Sequence, residues 1–310
     1  MAMDLAARKP GWATLLREHA QRHTPAALGL GFALLGVLAL LVQSLIQVAM
    51  GNAAPGLRLA LLGGAAGFAT TALGAVPALV LRAMPQRVED SLLGLAAGMM
   101  LAASAFSLLL PGLESATALL ASKPLGAGVV VIGMALGVLL MLGLDAFTPH
   151  EHESSGPCGP GVERCKRIWL FVFAIALHNL PEGMAIGVSF SQADMAVGLP
   201  LTTAIAVQDI PEGLAVALAL RGAGFAPGFA VLVAAASGVL EPVGALLGVG
   251  LSSGLAVAYP AGLGLAAGAM IFVVSHEVIP QTHRNGHQTP ATIGLMAGFA
   301  LMMVLDTTLG

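Results

Sequence analysis

Residues 178–190 read HNLPEGMAIGVSF and residues 208–220 read QDIPEGLAVALAL, a near-repeat thirty positions apart. In each copy the first and fifth residues, His178 with Glu182 and Gln208 with Glu212, stand at i and i+4 and share one helix face. Asn179 and Asp209 lie about 100° further round and widen each polar stripe. Both motifs begin roughly ten residues into long apolar runs, which at ~1.5 Å per residue is near the middle of a ~30 Å hydrocarbon layer. Glu241, in VLEPVGA, lies about fifteen residues into another such run and belongs to the same layer.

No lysine or arginine stands at that depth in these runs. Insertion scales put an acid such as Asp at about +2.5 to +3.5 kcal/mol at a helix centre, so Glu182, Asp209, Glu212 and Glu241 unpaired would cost on the order of 10 kcal/mol. The compensating charge must come from outside the chain, as protons or as bound cations. Two divalent cations would neutralise four carboxylates. An imidazole, carboxylate oxygens, the amide oxygens of Asn179 and Gln208 and the thioether of Met100 suit Zn²⁺ and its transition-metal neighbours, whereas an alkali-metal site needs no imidazole. Burial and mutual repulsion favour protonated acids in the empty site, so protons and metal are expected to compete there.

The elements that must hold these groups are membrane helices. The chain is 57% hydrophobic and 9% charged, with a mean hydropathy of +0.90, outside the range of a water-soluble domain. Apolar runs cover roughly 26–49, 57–81, 91–119, 126–148, 168–190, 197–220, 226–250, 257–280 and 290–310, which predicts nine spans. They are apolar all round and rich in Leu, Ala and Gly, unlike the alternating strands of a barrel, so the fold class is an all-α polytopic membrane protein. The short connection SQADMA at 191–196 makes the two motif-bearing helices antiparallel neighbours, with their stripes facing at one depth. Pro181 and Pro211 cannot donate to the carbonyls of Leu177 and Val207, so kinked helices with spare carbonyls are expected beside a polar cavity.

Charge sets the orientation. With the amino terminus in the cytoplasm, eleven of the 13 Lys and Arg residues fall inside and only Arg58 and Lys123 outside, and the carboxyl terminus ends outside. This divides the chain into a cytoplasmic segment 1–25, a span 26–49 read as retained and not as a signal peptide, and a core 57–310 with a cytoplasmic loop 149–167. Cys158 and Cys165 lie in that loop, where a structural disulfide is not expected. No separate soluble domain and no nucleic-acid partner are expected; the partners are the bilayer and divalent metal ions.

Other polar positions carry weaker signals. His150, Glu151, His152 and Glu153 form a metal-capable cluster in the loop, with a solvated loop as the alternative reading. His276 and Glu277 in VVSHEVIP suggest a zinc protease motif, but Pro280 stands where the second histidine is needed, leaving a choice between a metal-exit role and an interfacial one. Asp90, beside Glu89 at a helix start, suits either helix capping or a metal path. Asp145 and Asp306, near span ends, are read as interfacial or structural groups that also border such a path.

HNLPEG in one span and QDIPEG in the next, preceded by a histidine-bearing cytoplasmic loop, resemble the ZIP (ZRT/IRT-like) family of divalent metal transporters, bacterial branch, over about 57–310. The resemblance implies an eight-helix core, a two-metal site of His178, Asn179, Glu182, Gln208, Asp209, Glu212 and Glu241 with Glu182 and Glu212 bridging, and a ligand to the first metal from Met100. It also implies an elevator-like movement of a metal-bearing helix set against a scaffold, a homodimer, a bacterial inner membrane and transport of Zn²⁺, with Cd²⁺ and other divalent metals plausible. The span 26–49 is extra to the family pattern, and Gln208 stands where many members carry histidine. No catalytic cofactor is expected. The rival functions are an intramembrane zinc-dependent enzyme, which would need an open coordination position and a general base, and a metal-sensing membrane protein. ATP-driven pumping is disfavoured because the chain has no GxxxxGK[ST] loop.

Overall fold

In hydrocarbon every backbone N–H must find its acceptor within its own segment, so runs that are apolar on all sides fold as helices. The computed structural model describes residues 12–24, 54–147, 150–152, 156–158, 167–252 and 255–310, with isolated positions between 27 and 50. A short helix, α1, covers Trp12–Arg22. The expected span 26–49 lies mostly outside the described residues. After it come α2 (Pro55–Ala75), α3 (Gln86–Ala103), α4 (Leu110–Leu120), α5 (Lys123–Phe147), α6 (Arg167–Phe190) and α7 (Met195–Gly222). The chain continues through α8 (Pro227–Ser237), α9 (Leu240–Ser252), α10 (Ala258–Val273), α11 (Ile279–His283) and α12 (Gln288–Leu309). Among the described residues, eight helical stretches are long and apolar enough to cross a membrane, and the chain is an integral membrane protein. In the loop after α5, β1 (His150–His152) pairs antiparallel with β2 (Gly156–Cys158), His150 opposite Cys158.

Local chemistry sets the ends and the joints. Asp194 Oδ1 accepts the Ala196 N–H at 2.9 Å and caps α7, directly after Ala193 turns the chain through a left-handed φ of 58°. Wide π-helical turns at Ser104–Leu109 and Val274–Val278 join α3 to α4 and α10 to α11 without ending either span. α6 and α7 run without interruption through Pro181 and Pro211, so the expected distortion stays local. A break that the hydropathy of 226–250 does not reveal falls at Gly238–Val239 and puts Glu241 in the first turn of α9.

Glycines divide the bundle into two sets. In one, a Cβ at Gly183 or Gly187 of α6 would overlap the carbonyls of Glu241 and Ala245 on α9, and one at Gly74 of α2 would overlap that of Ile210 on α7. In the other, Gly94 and Gly98 of α3 meet the backbone of Ala291 and Leu295 on α12, and Gly133 and Gly137 of α5 meet that of Ala261 and Leu265 on α10. Small residues let helix backbones approach this closely and tie α2, α6, α7 and α8–α9 into one body and α3–α4, α5, α10–α11 and α12 into another. Across the boundary between the bodies Gly262 meets a side chain, with Val188 Cγ1 3.2 Å from a Cβ at Gly262, and Gly310, just after α12, lies beside the Ala196 carbonyl at the start of α7.

Candidate metal centre

The i, i+4 spacing does bring the two motifs face to face. Carboxylate oxygens of Glu182, Asp209 and Glu212 lie within 4.8 Å of one another, and all three residues are buried. Gln208 Nε2 donates to Glu182 Oε1 across the α6–α7 contact. Glu241, fully buried, reaches in from α9. Its carboxylate occupies the space a side chain would take at Gly67, and the same position lies 3.2 Å from Asp209 Oδ2, so the acids of α7 and α9 are neighbours.

Two residues missed in the sequence complete this wall. Thr71 Oγ1 donates to Glu241 Oε1 at 2.8 Å, and Thr70 Oγ1 donates to Asp209 Oδ2 at 3.3 Å. The available signal was GFATT at 67–71, in which a glycine and two hydroxyls at i+3 and i+4 face one side of an otherwise apolar span. Outer-shell donors of this kind are worth about 10–100-fold in metal affinity, so Thr71→Val should weaken zinc binding by about tenfold and Thr71→Ser should restore it, as measured by calorimetry on the purified protein.

The polar atoms left over in this wall are mostly acceptors of the kind a cation can use. Among the described residues, Oε2 of Glu182, Glu212 and Glu241, Oδ1 of Asp209, Oε1 of Gln208 and Nδ2 of Asn179 are buried without a hydrogen-bond partner, as are both ring nitrogens of His178. Buried polar atoms in folded proteins are nearly always partnered. Five of these orphans are oxygens, and coordination of a cation is a chemistry that uses such a set. His178 Nε2 stands 3.6 Å from Glu277 Oε2, which links the centre to the π-helical turn before α11. Met100 is fully buried in the core that also contains Ile186 and Ile205, one turn from Glu182 and Gln208 respectively.

A cavity of about 390 Å³ runs from His178 and Glu212 to Glu89, His276, Glu277 and Arg284. It reaches the end of the bundle that also holds Arg82, Arg87, Arg167 and Arg221, while Arg58 and Lys123 are at the other end. At the mouth it is Glu89 that lines the cavity. Asp90 is 1% exposed and accepts from Gln86 Nε2 at 3.1 Å, Asn285 Nδ2 at 3.1 Å and His287 Nδ1 at 2.8 Å, which fastens the α11–α12 loop to α3. His276 lies over Phe272 with ring centroids 4.8 Å apart. Asp145 is half-buried near the end of α5. Asp306, at the opposite end of the bundle, accepts from Ser107 Oγ at 2.6 Å. Only the backbone of His150 and His152 is described, and their side chains lie outside it.

The chain is similar to proteins of one family. The profile described as ZIP Zinc transporter matches residues 150–306. Zinc transporter ZIPB of Bordetella bronchiseptica is 64% identical over 291 residues, covering 94% of each chain. Zinc transporter GufA of Myxococcus xanthus is 42% identical over 255 residues, covering 82% of this chain and 99% of its own. The human Zinc transporter ZIP11 is 29% identical over 335 aligned positions, covering 81% and 97%. These relatives are named as transporters and not as enzymes, and the bacterial ones go with an integral protein of the bacterial inner membrane. The chain therefore belongs to the ZIP zinc transporter family.

Proposed function

We propose that the protein moves Zn²⁺, and other divalent transition metals such as Cd²⁺, across the inner membrane toward the cytoplasm through a two-metal site at mid-depth. The observation that carries this reading is the group of buried carboxylates of Glu182, Asp209 and Glu212, of which Glu212, with His178, lines a cavity leading to the cation-rich end of the bundle. Met100, His178, Asn179, Glu182, Gln208, Asp209, Glu212 and Glu241 supply the ligands, and Glu182 and Glu212 bridge the two ions. The positive-inside bias makes the cavity mouth cytoplasmic, so metal leaves past Glu277, His276 and Glu89. Asp90 supports the mouth by holding the α11–α12 loop in place.

Movement follows from how the bundle is joined. Four of the acids, with His178, Asn179 and Gln208, belong to the α2, α6, α7, α8–α9 body, whose helices are tied by glycine contacts to backbone. At Gly262 the other body meets it through the side chain of Val188, a contact that can slide. Transport by displacement of the metal-bearing body against a fixed one is therefore the mechanism we favour.

Metal flux tests the reading. Proteoliposomes containing the wild-type protein and a metal-sensitive dye inside should fill under an inward zinc gradient, well above empty vesicles. Vesicles whose protein binds zinc yet passes none would overturn the transporter reading in favour of the sensor.

A further inference from the structure

We propose that His19 and His23 form a second site for a divalent transition-metal ion, outside the membrane-embedded centre and independent of it. The two stand at i and i+4 on and just after α1, so they share one helix face, the spacing by which two histidines of a single helix hold zinc. Their ring centroids are 4.7 Å apart. Two imidazoles sharing one ion at about 2.0–2.1 Å, with N–metal–N angles between about 90° and 109°, would place their centroids roughly 4.5–5.2 Å apart, so no rearrangement of the helix is needed.

His19 is held in a fixed orientation. Its Nε2 lies 2.9 Å from the carbonyl oxygen of Ala146, near the end of α5. A carbonyl only accepts, so Nε2 carries the proton and Nδ1 keeps its lone pair. Metal-binding histidines are typically oriented in this way, with one ring nitrogen donating to a carbonyl and the other left to the ion. The ring also stands edge-on to Phe147, with centroids 5.2 Å apart and planes at 86°. His23 is exposed, so one imidazole is anchored and the other is free to close on an ion. The hydrogen bond to Ala146 places the site beside the end of α5, at the start of the loop that carries His150 and His152.

Copper(II) is a suitable probe because its electron paramagnetic resonance spectrum reports the number of bound imidazole nitrogens. The full-length protein in detergent, with Glu182→Gln and Glu212→Gln to silence the central site, should bind one Cu²⁺ with a two-imidazole signature that Zn²⁺ displaces. Adding either His19→Gln or His23→Gln should remove that signature and one bound ion per chain, and His23→Gln, at the exposed partner, should do so with no change in the thermal stability of the metal-free protein. A signature that survives both substitutions and disappears with His150→Gln and His152→Gln overturns the proposal, as does the absence of any bound ion. Neither result bears on flux through the central site, which is measured separately.

Discussion

Glu212→Gln should reduce zinc flux to the level of empty vesicles, a loss of at least about 100-fold, while leaving the metal-free protein folded and more stable than wild type. Glu212 belongs to the cluster in which carboxylates of Glu182, Asp209 and Glu212 stand within 4.8 Å, and it also lines the head of the cavity. Removing a ligand from the centre exceeds the 10–100-fold effect of disturbing an outer-shell group. The stability change has the opposite sign because the metal-free wild-type protein must either bury these acids charged or take up protons that its unfolded chain releases near neutral pH, and either course disfavours folding. An amide keeps the shape and removes one acid, so the apo melting temperature should rise. Zinc stabilises the wild type by binding the folded state alone, and that increment should shrink or vanish in the variant. Flux and melting with and without zinc, measured on one preparation, separate this outcome from simple misfolding. A variant that transports normally would remove Glu212 from the proposed centre.

Much of this cluster is legible in the sequence. Hydropathy located the eight helices of the core to within a few residues, because a span in lipid must be both long and apolar. The paired motifs anticipated that Glu182 and Glu212 would face each other, because i, i+4 spacing with His178 and Gln208 fixes a helix face, and the structure brings their carboxylates together with that of Asp209. What stayed hidden depends on partners in other helices. Thr70 and Thr71 look like ordinary small polar residues of a span until the rotation of α2 against α7 and α9 turns them to Asp209 and Glu241. Asp90 and Glu89 are adjacent in sequence, yet only packing decides that Asp90 binds the α11–α12 loop and Glu89 meets the cavity. The break at Gly238–Val239 and the two π-helical turns leave hydropathy unchanged, so no composition signal marks them.

The division into two bodies was likewise invisible. The sequence holds 40 glycines, but only their partners show which helices are locked together. This yields the second large effect. Val188 on α6 and Gly262 on α10 face each other across the boundary, with Val188 Cγ1 3.2 Å from a Cβ at Gly262, close enough for a disulfide between cysteines at these positions. In a protein carrying Val188→Cys and Gly262→Cys, with Cys158→Ser and Cys165→Ser to prevent other pairings, oxidation should abolish flux and reduction should restore it. Zinc binding should persist throughout, because every proposed ligand except Met100 lies within one body and keeps its neighbours when the bodies are tied. A cross-link that spares transport would mean that the two bodies do not slide at this boundary. One that removes zinc binding as well would mean that the tie distorts the centre, and a cysteine pair on the lipid-facing ends of the same helices would then be needed to test the movement. Each single-cysteine variant treated with oxidant should transport like wild type, which separates the tie from the loss of the Val188 side chain or the added bulk at Gly262.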